Sequence, residues 1–138
     1  MSTDITPYIS IGNYTSSYDD FDVIVNLNFP YNDVTHHNII EKDFNNKKLF
    51  MIGLLDAPDE EMLCLLKIMM PKLLALGRKR ILFHCYAGIS RSTTLAIAYL
   101  VHTTNMTLQD AIKFVKSKRH IIQPNNGFMK ALEMYFHE

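Results

Sequence analysis

Residues 84–92 read His-Cys-Tyr-Ala-Gly-Ile-Ser-Arg-Ser, so that Cys85 stands six residues before Arg91, with Gly88 midway and Ser92 directly after the arginine. The apolar run RILFH (80–84) ahead of this stretch reads as a buried strand, and the apolar SRSTTLAIAYLVHT that closes it reads as a helix starting near Arg91. A strand that turns through five residues into a helix gathers backbone amides around one point, beside the positive end of the helix dipole. That arrangement binds small anions. Gly88 suits the middle of such an arc, which needs positive φ or a very close backbone approach. The amides of Tyr86, Ala87, Gly88, Ile89, Ser90 and Arg91 are then the expected lining of the cradle. Arg91 in a first helical turn opposes the dipole unless an anion sits between them, and its planar fork matches a phosphate. The plain alternative is a surface arginine in water.

Cys85 at the end of a buried strand could be a small core residue. Under a ring of amides and beside an arginine, however, a thiol whose ordinary pKa is about 8.5 ionises more readily, and the thiolate can attack phosphorus and hold the phosphoryl group covalently. Ser92 offers a hydroxyl that would help the sulfur leave in a second step, or would merely bond its own helix. His84 is expected to orient the loop as a hydrogen-bond donor, since a thiolate already formed needs no base.

These groups have to be held by a scaffold. YISIG (8–12) and DVIVNLNF (22–29) read as strands, and LFMIGLLD (49–56), apolar on both faces, as a central one. IIEKDF (39–44) fits either a short strand or irregular chain. A long helical pattern covers about 59–76 and is expected to kink or divide at Pro71. Thr107 followed by Asp110 predicts the start of another helix, and PNNGFMKALEMYFH forms a last amphipathic one. Strands fill the first half and helices the second, which predicts one α/β domain over 1–138, with a mixed, mostly parallel sheet flanked by helices.

Bulk composition narrows the function. With 14 basic and 14 acidic residues, the chain has no net charge to draw it to nucleic acid. No apolar run reaches membrane-spanning length, and the N-terminus lacks a secretory pattern. Two cysteines make no disulfide framework, so a reducing compartment is expected, the cytoplasm or the nucleus. Cys64, among leucines, reads as core, with a resolving thiol for oxidised Cys85 as the sharper alternative. Lys116, Lys118, Arg119 and His120 end a helix and are expected to serve its dipole, or to touch an acidic flank of a substrate.

HCYAGISRS resembles the HCxxGxxR[S/T] signature of cysteine-dependent protein tyrosine phosphatases, and most closely the dual-specificity branch with its HCxAGxSRS loop. The resemblance continues through AYL (98–100) and PNNGF (124–128), and upstream through YISIGNY and VIVNLN. It implies a single-domain protein phosphatase acting on phosphotyrosine and phosphoserine or phosphothreonine in phosphoprotein substrates, without metal or cofactor and as a monomer. It also implies a general-acid aspartate about thirty residues before the cysteine, just after a strand. Asp56 in LLDAPDEE is the expected residue, with Asp59 as rival; either could instead cap the following helix. Where relatives usually carry a helix between the first two strands, this chain has only NYTSSYDDF. Two other readings stay open. The same chemistry could serve a phosphoinositide or an RNA 5′-triphosphate, although the variable loop positions Tyr86, Ala87, Ile89 and Ser90 are uncharged. A phosphoprotein-binding module without turnover would have lost the nucleophile or the arginine, and this chain keeps both.

Overall fold

The computed structural model describes residues 1–29, 38–54 and 61–137. Ten elements run in the order β1 (Ser2–Thr6), β2 (Ile9–Gly12), β3 (Val23–Phe29), β4 (Asn38–Phe44), β5 (Lys47–Gly53), α1 (Glu61–Ala75), β6 (Ile81–His84), α2 (Arg91–Thr103), α3 (Leu108–Lys118) and α4 (Asn126–His137). The strands form one sheet in the order β1-β2-β6-β3-β5-β4. The four inner strands are mutually parallel, and each edge strand is antiparallel to its neighbour. The expected mixed, mostly parallel sheet is therefore present.

Four details differ from the sequence reading or complete it. The central strand read over 49–56 corresponds to β5, an inner strand paired on both sides but one place in from the edge, with β6 and β3 at the middle of the sheet; residues 55 and 56 lie outside the described residues. Residues 39–44, left open as strand or irregular, form strand β4. It is turned back onto β5 by Asn45 and Asn46, both at positive φ, which is the backbone that a two-residue hairpin of native twist demands. β1 was not read from the sequence at all. Finally, α1 runs undivided through Pro71, which lies on its exposed side, where a carbonyl that loses its amide partner can turn to water.

Side chains alternate across the strands with period two. Ile9, Ile11, Val23, Val25, Leu27, Phe50, Ile52, Ile81 and Phe83 face one way and pack with the buried residues of all four helices. Ile24, Leu49 and Leu82 face the other way, under Phe21 and Tyr18 from the β2–β3 segment. The short segment between β2 and β3 thus closes that face with two aromatic rings. α2 is buried almost throughout from Ser92 to Leu100, so its N-terminus is fixed above the sheet. Thr107 caps α3 as expected, accepting from the Asp110 amide at 3.1 Å.

Candidate active site

Gly12 and His84, the last residues of the parallel strands β2 and β6, lie in one row with Asn26 of β3. In parallel sheets the space beyond the carboxyl ends of the strands is where ligands bind. From there, residues 85–90 carry the chain to the first turn of α2. Gly88 has φ of 70°, the conformation its position predicts.

The direction of the peptide groups follows from their hydrogen bonds. The carbonyl of Tyr86 accepts from the Tyr14 amide, that of Ile89 from the Gln123 amide at 2.8 Å, and that of Ser90 from the Thr94 amide. The carbonyls of Ala87 and Gly88 accept from the guanidinium of Arg119. All five are held by groups outside the loop. In a trans peptide the next residue's N–H points opposite to the carbonyl, so the amides of residues 87–91 face the other way, into the loop. One of them is seen doing so, since the Gly88 amide donates to the Cys85 sulfur at 3.3 Å. The Tyr86 amide follows the Cys85 carbonyl and is not fixed by this pattern. The Tyr86 ring points outward, 58% exposed, and stacks on Tyr14 with centroids 4.8 Å apart.

The start of α2 also carries no side-chain cap, since its cap residue Ser90 makes no such bond. The Ser90 hydroxyl instead accepts from the Asn125 amide at 3.1 Å, which ties the loop to the segment ahead of α4. A helix start without a cap is a place for an anion.

Cys85 is 2% exposed at the base of this loop. Its sulfur lies 3.2 Å from the Ser92 hydroxyl. Burial by itself pushes the thiol pKa up. The Ser92 hydroxyl, the amides of Ser92 and Gly88 and the charge of Arg91 outweigh it, and the net shift is downward. Thiolate is thus favoured by fixed donors and a cation.

Arg91 does not swing into water. Its Nη1 donates to the carbonyls of Leu27 and Leu54, both at 3.1 Å, at the ends of β3 and β5. Its Nε is buried without a hydrogen-bond partner. One side of the guanidinium is therefore anchored, and a buried donor is left for an oxyanion.

Behind the loop, Nε2 of His84 lies 2.7 Å from the Tyr18 hydroxyl. Burial lowers the His84 pKa to about 4, with the Cys85 backbone opposing, so the ring is neutral near pH 7. His84, expected from the sequence to orient the loop as a hydrogen-bond donor, has Tyr18 as its side-chain partner.

The structure brings together Cys85, Gly88, Arg91 and Ser92. Asp56 and Asp59 lie outside the described residues. Two participants were missed in the sequence. Tyr18 gave no signal, and Arg119 was hidden in a basic run assigned to a helix dipole, whereas it is buried against the loop. Cys64 is exposed, not core.

The family described as "Dual specificity phosphatase, catalytic domain" matches residues 8–138. Putative tyrosine phosphatase 123R of Invertebrate iridescent virus 6 is 54% identical over 56 residues, which cover 41% of this chain and 39% of that protein. Human dual specificity protein phosphatase 21 is 52% identical over 56 residues, covering 41% of this chain and 30% of that one. The match thus spans well under half the length of these relatives. Among solved structures, the human tyrosine phosphatase-like serine/threonine/tyrosine-interacting protein superposes with a TM-score of 0.78 at 26% identity, over 99% of this chain and 95% of its own. Human DUSP28 shares the fold, with a TM-score of 0.77 at 22% identity over 97% of this chain and 91% of its own.

Proposed function

The chain belongs to the dual specificity phosphatase catalytic-domain family, and from that premise we propose that it hydrolyses phosphotyrosine and phosphoserine or phosphothreonine esters of proteins through a cysteinyl-phosphate intermediate. The observation that carries the reading is the set of five outward carbonyls around a buried cysteine, with the amide of Gly88 and the hydroxyl of Ser92 both at its sulfur.

The phosphate dianion is held by the loop amides and by the free side of Arg91. The Cys85 thiolate attacks phosphorus in line, forming the S–P bond as the P–O bond to the substrate breaks. Asp56 gives its proton to the leaving oxygen. Charge that builds on the equatorial oxygens meets donors already in place, which is where most of the rate gain originates. Asp56, now a carboxylate, takes a proton from water as that water attacks phosphorus. Inorganic phosphate leaves and the sulfur departs as thiolate, steadied by the Ser92 hydroxyl. Thiol chemistry of this kind fits a reducing compartment, cytoplasm or nucleus, and a monomer suffices because one chain supplies every group named. No helix among the described residues is long and apolar enough to cross a membrane.

Hydrolysis of an aryl phosphate by wild type and Cys85→Ser tests the reading. The variant is expected to be inactive, and equal rates would remove the enzyme reading. A wild type that traps a phosphopeptide without releasing phosphate would instead make it a binding module. Asp56→Asn is expected to slow alkyl phosphates more than aryl ones, and the same behaviour from Asp59→Asn alone would move the acid to Asp59. Phosphate release from a phosphopeptide, a phosphoinositide and a triphosphorylated RNA, side by side, fixes the substrate class, with the phosphopeptide expected to lead.

A further inference from the structure

Arg119 follows the last residue of α3 and is only 8% exposed. Its side chain does not follow the helix axis. It runs into the back of residues 85–90, where Nε donates to the Gly88 carbonyl at 3.0 Å and Nη2 to the Ala87 carbonyl at 3.3 Å. Nη1 donates to the Thr3 hydroxyl on β1 at 2.7 Å. These acceptors are all neutral, and among the described residues no carboxylate forms an ion pair with it. A cation buried against neutral acceptors is costly unless an anion offsets it. Burial lowers the pKa of Arg119, and the negative charge of Cys85 opposes that shift, so the two groups are electrostatically linked.

The packing around Gly88 is tight for the same reason. A Cβ at this position would lie 2.6 Å from Nη2 of Arg119 and 2.6 Å from the Gly12 carbonyl oxygen. The loop is clamped between the end of β2 and the guanidinium, with no space for a side chain. Among the described residues, the titratable groups around the loop are Arg91 from α2, Arg119 beyond α3, Tyr86 of the loop with Tyr14 stacked on it, and His84 from β6, which is neutral and paired with Tyr18.

We propose that Arg119 is a positioning residue of the anion cradle. Its guanidinium turns the Ala87 and Gly88 carbonyls outward, which aims the Gly88 and Ile89 amides at the anion, and its buried charge favours thiolate and bound phosphate from behind the loop. The inference rests on the reading of this loop as a phosphate cradle, and assigns that cradle a second guanidinium that never touches substrate.

The test uses the full chain carrying Cys64→Ser, which leaves Cys85 as its one thiol. The pH dependence of iodoacetamide alkylation gives the thiol midpoint, and protection by inorganic phosphate gives the oxyanion affinity. Arg119→Gln is expected to raise the midpoint by about one unit and to weaken phosphate about tenfold, the loss of one charge-assisted contact. Arg119→Lys keeps the charge but cannot span two carbonyls, so its midpoint should stay near wild type while phosphate still weakens. Lys118→Gln removes an exposed charge from the same helix end and should change neither. A folded Arg119→Gln protein with unchanged midpoint and phosphate affinity overturns the inference. If that variant does not fold, Arg119→Lys decides, and wild-type phosphate affinity in it overturns the bracing role. A wild-type thiol with an ordinary midpoint and no phosphate protection overturns the cradle reading itself, and the inference with it.

Discussion

The sulfur of Cys85 and the hydroxyl oxygen of Ser92 lie 3.2 Å apart, joining the floor of the loop to the first turn of α2. The hydroxyl is buried, and its hydrogen bond is among the causes that lower the thiol pKa. In the proposed reaction it therefore acts most when the sulfur must leave phosphorus as an anion.

Ser92→Ala is expected to slow breakdown of the cysteinyl phosphate more than its formation. Losing one hydrogen bond to a charged group costs about 1.5–3 kcal/mol, or roughly a ten- to hundredfold fall in kcat. Rapid-quench measurements should show a burst of aryl product ahead of a slow steady state. Equal slowing of burst and steady state would place Ser92 in the first step instead.

Arg91→Lys tests the anchored guanidinium. A lysine cannot hold the Leu27 and Leu54 carbonyls and also present a second donor where the arginine Nε is buried without a partner. The expected loss in kcat/KM is about a hundredfold, the size of one or two charge-assisted hydrogen bonds. Thermal stability should fall as well, because the same side chain ties β3 to β5. A change within about threefold would mean that Arg91 does not contact the phosphate.

His84 gives the protein a pH-dependent stability. Its folded pKa of about 4 lies below the ordinary 6.5, so between those values the unfolded chain binds more protons. Stability therefore rises with pH across that window, and this contribution is lost as pH falls through the folded pKa. Urea unfolding at about pH 7 and about pH 4.5 should show wild type losing roughly 2 kcal/mol more than His84→Gln. Parallel losses in the two proteins would mean that His84 does not titrate on unfolding.

Gly88→Ala places a methyl group where the Gly12 carbonyl and Arg119 leave no space, on a backbone at φ of 70°. Strain and overlap together should cost about 1–3 kcal/mol of stability, and kcat/KM should fall because the amides move. A variant with wild-type urea midpoint and wild-type kinetics would show that the loop tolerates both.

Much of the site lies within nine consecutive residues, and that is why it is legible from the sequence. Strand, turn glycine, cysteine, arginine and serine are fixed relative to one another by the geometry of a single turn into a helix. Short apolar runs likewise give β3 and β6 as buried strands, and the Thr107 cap gives the start of α3. Other elements depend on what packs against them. IIEKDF becomes a strand because the Asn45–Asn46 hairpin lays it along β5, and β1 exists because β2 offers it an edge. Pro71 leaves α1 whole because it falls on the solvent side, and Cys64 is exposed although its neighbours are leucines. Neither outcome follows from residue type alone.

Sequence by itself determined the chemistry: a cysteine, a glycine, an arginine and a serine at spacings that a strand–loop–helix turn converts into an anion cradle, because local backbone geometry alone brings them together. Tertiary structure decided how that cradle is held and charged. Tyr18 reaches His84 across 66 positions and Arg119 reaches Gly88 across 31. Only chain packing fixes separations of that kind, and only burial converts a basic residue after a helix into a buried charge behind the Cys85 loop.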